Sequence, residues 1–217
     1  MHKLVTDENN RILTVDGEGK PHITQVLADL GLSKSFEGVA DLEWYATRGK
    51  AAHAACRLIN EGCLDEKSVA EEIKGYVFAY QQFIKEKPIT VIGSEIPLYS
   101  ELHDFCGTSD LVCFVENQRS VIEIKTTSNI DPAVEIQVGA QAILWDENNQ
   151  TKQIEKRYVL QLKADGTYRL KDLTHVPPYL FLDALKVWRW KQTHKRTNAQ
   201  KHKSMSAEIE TCKEIAK

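Results

Sequence analysis

Between Ile89 and Thr126 three short runs rich in valine, isoleucine and phenylalanine follow one another with little connecting chain. Ile89 to Leu98, Thr108 to Val115 and Ser120 to Thr126 have the composition that suits a pleated, half-buried surface. Glu116-Asn117-Gln118 breaks the last two, which makes them a hairpin. Asp131-Pro132 then supplies a helix cap and a proline at the first helical position. The helix it opens carries Ile136, Ala140, Ile143 and Leu144 on one side. Two more strands, Ile154 to Leu162 and Thr167 to Leu173, join through the turn residues Ala164-Asp165-Gly166.

Helical spacing brackets this unit. Ile23, Val26, Leu27 and Leu30 mark a short amphipathic helix. A second helix is expected from about Asp41 to Asn60, stopped by Gly62. A third, from about Ser68 to Lys85, turns Ile73, Tyr76, Val77, Tyr80, Phe83 and Ile84 to a core. A last one begins near Pro178 and carries Phe181, Ala184, Leu185 and Trp188. The order predicts an α/β fold with a central mixed sheet of about five strands flanked by helices. At 217 residues the chain suits one domain. Its core is expected over about 40–175, its N-terminal helical segment over about 20–40, and its C-terminal basic helix and tail over about 178–217.

Composition excludes several classes. The hydrophobic fraction is 42% and the charged fraction 27%, ordinary for a globular protein. No run approaches the ~18 apolar residues of a membrane span. The opening MHKLVTDENNRIL lacks the apolar centre of a signal peptide, so a cytoplasmic location is expected, with no membrane partner. The five cysteines (56, 63, 106, 113 and 212) form no CxxC pair and suit buried thiols better than disulfides, zinc or an iron–sulfur cluster. Net charge is -3, yet Lys186 to Lys203 holds five lysines, two arginines and no acid, beside Trp188 and Trp190. Such a segment can track phosphates or simply form a solvated helix face. Neither GxGxxG nor GxxxxGK[ST] occurs, so a nucleotide-binding enzyme is not indicated.

The chemistry lies in GTSDLVCFVENQRSVIEIKTT, Gly107 to Thr127. Side chains alternate along a strand, so Glu123 and Lys125 share one face, and hairpin pairing could bring Asp110 beside them. Two close carboxylates repel unless a cation lies between them. Mg²⁺ suits such a site, being hard, oxygen-seeking and satisfied with one or two carboxylates. A Glu-x-Lys triplet alone also fits a salt-bridged surface strand.

Gly107-Thr108-Ser109-Asp110, followed thirteen residues later by Glu123-Ile124-Lys125, resembles the core motif of the PD-(D/E)xK nuclease superfamily. The likeness is to its RecB-like, phage-exonuclease branch, which has a GxxD form of the first acid. That branch also carries an upstream RGxxxH-like helix, matched by Arg48-Gly49-Lys50-Ala51-Ala52-His53. It carries a glutamine motif on the helix after the ExK strand, matched by Gln137-Val138-Gly139-Ala140-Gln141. Ser109 stands where the superfamily name has proline, and Gln141 where tyrosine is common.

The resemblance implies a restriction-endonuclease-like core and a Mg²⁺- or Mn²⁺-dependent DNA exonuclease of phage or bacterial recombination, replication or repair. It implies Asp110, Glu123, the Ile124 carbonyl and His53 as metal ligands, Lys125 as the catalytic lysine and Gln137 as a supporting catalytic residue. Glu95, in IGSEIPLY, is the candidate further acid. Arg48, Gln141, Lys191, Lys195 and Arg196 are the expected DNA contacts, and a homo-oligomer or a recombination or single-strand-binding protein the expected partner. The alternative is a nucleic-acid-binding module of nuclease descent that no longer cuts.

Overall fold

The computed structural model describes residues 2–7, 12–33, 41–150 and 152–194. Strands β1 (Leu4–Thr6) and β2 (Ile12–Val15) pair antiparallel and are followed by helix α1 (Ile23–Asp29). Helices α2 (Leu42–Asn60) and α3 (Glu71–Glu86) precede strands β3 (Ile89–Ser100), β4 (Phe105–Val115) and β5 (Gln118–Lys125). Helix α4 (Ala133–Asn148) leads to β6 (Lys156–Leu162) and β7 (Tyr168–Asp172). A last helix, α5, occupies 180–194. Among the described residues no helix is long and apolar enough to cross a membrane.

The central sheet has five strands in the order β3-β4-β5-β6-β7. All neighbours are antiparallel except β5 and β6. Parallel pairing requires a crossover, and α4 is that crossover. The β4–β5 turn places Glu116 and Asn117 at φ 50 and 65, the two left-handed positions of a tight hairpin.

Both faces of the sheet are covered. Val112, Val121 and Val159 pack with α1, α4, Phe181 and Leu185. Their sequence neighbours Leu111, Ile122 and Leu160 point the other way, toward Ala52, Ala55 and Cys56 of α2 and Tyr80 and Phe83 of α3. That is why the central strands appear in the sequence as nearly continuous apolar runs. Gly107 has a packing reason: a Cβ there would collide with Ile23 and crowd Leu144. Its absence lets α1 and α4 close over β4 just ahead of Asp110.

Several expectations change in detail. β1 and β2 lie in a stretch that carried no strand signal. α3 starts at Glu71, because Asp65 caps a separate turn by accepting from the Lys67 N–H at 3.0 Å. α4 is not apolar on one side only: Ala133, Val134, Val138, Gly139, Gln141, Ala142 and Trp145 are buried as well. The reason is the chain entering α5: Pro178, just ahead of that helix, would stand 3.0 Å from a Gly139 Cβ, and Phe181 and Leu185 join the same core. Three cysteines (56, 106, 113) are buried, but Cys63 is exposed, and Cys212 lies outside the described residues.

The basic segment is partly engaged in holding α5 down. Lys191 Nζ donates to the Asp29 carbonyl at 2.6 Å, and Trp188 Nε1 to the Asp29 carboxylate at 2.8 Å. Arg189 donates to the carbonyls of His103 and Asp104 at 2.7 and 2.9 Å, fixing the β3–β4 turn. Lys195 and Arg196 lie outside the described residues.

Candidate active site

The β4–β5 ladder runs from Val115↔Gln118 to Leu111↔Ile122 and stops. The next pair along would be Asp110 and Glu123. There Asp110 Oδ2 accepts from the Ile124 N–H at 2.8 Å, so a side chain takes over where backbone pairing ends. On its other edge β5 stays paired with β6 as far as Lys125↔Gln161. Glu123 and Lys125 therefore project from a strand held rigidly on one side.

Glu123 is 2% exposed, and both of its oxygens are engaged. Lys125 Nζ donates to Oε1 at 2.6 Å and Gln137 Nε2 to the same oxygen at 2.8 Å. Gln141 Nε2 donates to Oε2 at 2.6 Å and to the Thr108 carbonyl at 3.0 Å. Gln137 and Gln141 are four residues apart and so share one face of α4. Lys125 also donates to Gln137 Oε1 at 3.3 Å.

His53 reaches the site from the opposite layer. The small, buried Ala52 and Ala55 bring α2 close to the sheet, and a Cβ on Gly49 would sit 3.6 Å from Thr126 Oγ1. His53 Nδ1 lies 3.3 Å from Glu95 Oε1 and 3.7 Å from Asp110 Oδ2. Glu95 falls between Ser94↔Leu111 and Ile96↔Ser109, hence opposite Asp110. It has φ 51, left-handed backbone inside a strand, which costs on the order of 1–3 kcal/mol. The ladder shifts register between Val91 and Gly93, just before it. Asn60 Nδ2 donates to Ser94 Oγ at 2.8 Å, and Asn60 in turn accepts from Tyr80 at 2.9 Å. The irregular backbone is thus tied to α2 and α3.

Donor atoms of His53, Glu95 and Asp110 all lie within 4.8 Å of one another. One imidazole nitrogen and two carboxylate oxygens suit a divalent cation that accepts mixed nitrogen and oxygen ligands. Electrostatics agree with the geometry. Burial and the neighbouring Glu123 carboxylate push Asp110 well above the usual carboxylate range. Burial opposes a charged His53, but Asp110 and Glu95 outweigh it and raise the imidazole to about 9. Burial likewise opposes charge on Glu123, yet the Lys125 ammonium and the bond from Gln141 hold it below its ordinary value. Burial disfavours the Lys125 ammonium, and Glu123 and Asp110 reverse that and raise it.

The residues singled out in the sequence divide by place. His53, Glu95, Asp110, Glu123, Lys125, Gln137 and Gln141 converge. Ile124 contributes its N–H, to Asp110. Gln141, expected as a DNA contact, is fully buried against Glu123. Lys191 is bonded to α1. The Asn60–Ser94 tie was not foreseen, although a glycine inside a strand pattern, Gly93, signals a bulge.

No family model and no curated protein matches the chain. Among solved structures it is similar to a protein titled SSO0001. That match has 12% identity and a TM-score of 0.37, covering 77% of this chain and 83% of the other. It is also similar to the alkaline exonuclease LHK-Exo from Laribacter hongkongensis, at 13% identity and TM-score 0.35. LHK-Exo in complex with dAMP gives 15% and 0.37, covering 83% of this chain and 94% of that one. Likeness this distant carries nothing about chemistry.

Proposed function

We propose that this chain is a divalent-cation-dependent deoxyribonuclease, an exonuclease hydrolysing DNA phosphodiester bonds in phage or bacterial recombination, replication or repair. The observation that carries the reading is the convergence of His53, Glu95 and Asp110 beside the buried Glu123–Lys125 pair. Its order of motifs along the chain supports it.

His53, Glu95 and Asp110 would hold Mg²⁺ or Mn²⁺, with Glu123 and the Ile124 carbonyl as the further ligands the resemblance implies. Such a cation supplies Lewis acidity toward a phosphodiester. Gln137 and Gln141 orient Glu123, and Lys125 places a fixed positive charge at the mouth of the site, where it can offset charge on a transition state. Arg48, Lys191, Lys195 and Arg196 would add attraction for the phosphate backbone. Lys191 acts there through its charge, since its ammonium also holds α5.

End-labelled linear DNA and circular DNA, incubated with Mg²⁺, Mn²⁺ or EDTA, test the reading. Linear DNA should be degraded from its ends, circular DNA spared, and all activity lost in EDTA and restored by either cation. Undiminished cleavage in chelator would falsify it. Binding without cutting under every condition would favour a non-cleaving module.

A further inference from the structure

We propose that Trp44 and Tyr45 form a stacking platform for unpaired bases of the substrate, so that the strand delivered to the site is single-stranded there. The inference rests on the nuclease reading and extends it to the class of DNA engaged.

Trp44 and Tyr45 stand on the first turn of α2, 48% and 47% exposed. Large exposed aromatics side by side are unusual on a helix surface. These two are also ordered against each other, with ring centroids 5.0 Å apart and an interplanar angle of 80°. The Arg48 guanidinium fixes them. It lies 5.0 Å from the Trp44 ring, 5.1 Å from Tyr45 and 5.1 Å from Tyr76 of α3. Arg48 Nε is buried and has no hydrogen-bond partner among the described residues. Its contacts are with ring faces, and they anchor the pair to the body of the protein through Tyr76.

The platform is continuous with the site. Tyr45, Gly49 and His53 are spaced four apart and form one stripe of α2. Gly49 abuts Thr126, the residue after Lys125, and His53 faces Glu95 and Asp110. His53 lies eight residues on from Tyr45, about 12 Å along the helix. That distance spans at most about four nucleotides at the 3.4 Å rise of a stacked strand. A strand with its phosphate at the acidic cluster thus has a base within reach of the rings. Every unpaired base offers a face to stack on, whereas a duplex hides those faces except at its ends. The cationic guanidinium behind the rings adds attraction for a polyanion.

The test uses the full chain in EDTA, where cutting is off, with fluorescein-labelled oligo(dT) and a blunt hairpin duplex of equal charge, read by anisotropy. Trp44→Ala with Tyr45→Ala should weaken oligo(dT) binding roughly 5- to 150-fold, the range for losing one stacked base, and leave the duplex within about 3-fold. The salt slope should not change, because no phosphate contact is removed. Trp44→Phe with Tyr45→Phe should restore binding to within about 3-fold, since a phenyl ring also stacks. Equal binding by the Ala and wild-type proteins overturns the platform, as does equal weakening on both DNAs. Cleavage of linear DNA by the wild-type protein in Mg²⁺ would then leave the nuclease reading standing. If the wild-type protein neither binds nor cuts DNA, both fall. Unchanged circular dichroism of the variants, expected because both rings are half exposed, separates lost stacking from lost fold.

Discussion

Replacing Lys125 by methionine keeps most of the side-chain volume and removes the charge that neutralises Glu123. The pair is 2.6 Å apart, and the Glu123 side chain is 3% exposed against 26% for Lys125. At an effective dielectric of about 20, charges this close attract by roughly 6 kcal/mol, most of it offset by desolvation. Removing one partner of a buried pair costs about 3–5 kcal/mol, because a carboxylate is left without its counter-charge. Gln137 and Gln141 still donate to Glu123, and Lys125 keeps some solvent contact, so the lower end applies, about 3 kcal/mol. For a chain of this size that is a fall in Tm of roughly 6–12 °C.

The assay is urea and thermal unfolding in EDTA for Lys125→Met, Glu123→Gln and the double variant. The double variant should recover part of the loss, giving a coupling energy of about 2 kcal/mol. The pH dependence follows from the two shifts. Glu123 is held below its ordinary 4.5, so its contribution is present above that pH and is lost as pH falls through the lowered value. Lys125 is raised above 10.5, so its contribution is present below that pH and is lost as pH rises through the raised value. The deficit of Lys125→Met should therefore shrink as pH falls through the lowered Glu123 value or rises through the raised Lys125 value, and between them it follows the charges of Asp110 and His53 beside the pair. A loss under about 1 kcal/mol, or a coupling near zero, would refute the idea that this ammonium holds Glu123 in place.

Three further outcomes follow from the same geometry. Glu95→Gln relieves the crowding of Asp110 but also removes a carboxylate facing His53, so the Tm of the metal-free protein should change little while Mn²⁺ affinity by calorimetry drops at least about 10-fold, the lower end for loss of an outer-shell partner; a lower Tm with intact affinity would make Glu95 structural. Against its burial, Asp110 and Glu95 raise metal-free His53 to about 9 and a cation takes neutral imidazole, so binding should release the His53 proton, together with any held by the raised Asp110, and tighten as pH rises toward 9. Calorimetry in buffers of different ionisation heat measures this, and an affinity independent of pH would remove His53 from the ligand set. Gln141→Leu deletes the donor to both Glu123 and the Thr108 carbonyl, and urea unfolding should show a loss of about 1–3 kcal/mol together with reduced cleavage; unchanged cleavage would mean Glu123 needs no such support.

Local pattern carried most of the architecture, because strand and helix periodicities and turn residues act over a few positions. The runs at 89–126, the turn at Glu116 and Asn117 and the Asp131-Pro132 cap announce β3, β4, β5 and α4 directly. Asp110, Glu123 and Lys125 were legible for the same reason: alternation on adjoining strands decides which side chains share a face. The strands β1 and β2 were not, since three- and four-residue strands are too short to show a period.

The geometry of the candidate cluster belongs to tertiary structure. Glu95 looks like an ordinary strand residue until a register shift and a left-handed backbone turn it toward His53, with the neighbouring Ser94 tied through Asn60 to Tyr80. Gln141 and Lys191 resemble surface donors in the sequence, but Gln141 is buried against Glu123 and the Thr108 carbonyl of β4, and Lys191 bonds the Asp29 carbonyl of α1. Burial raises Asp110 but opposes charge on His53 and Glu123, where the neighbouring charges win, raising the first and lowering the second. A sequence specifies which groups are present; their pKa depends on the solvent they lose and the charges they meet, and for His53 on α2 those charges stand on β3 and β4.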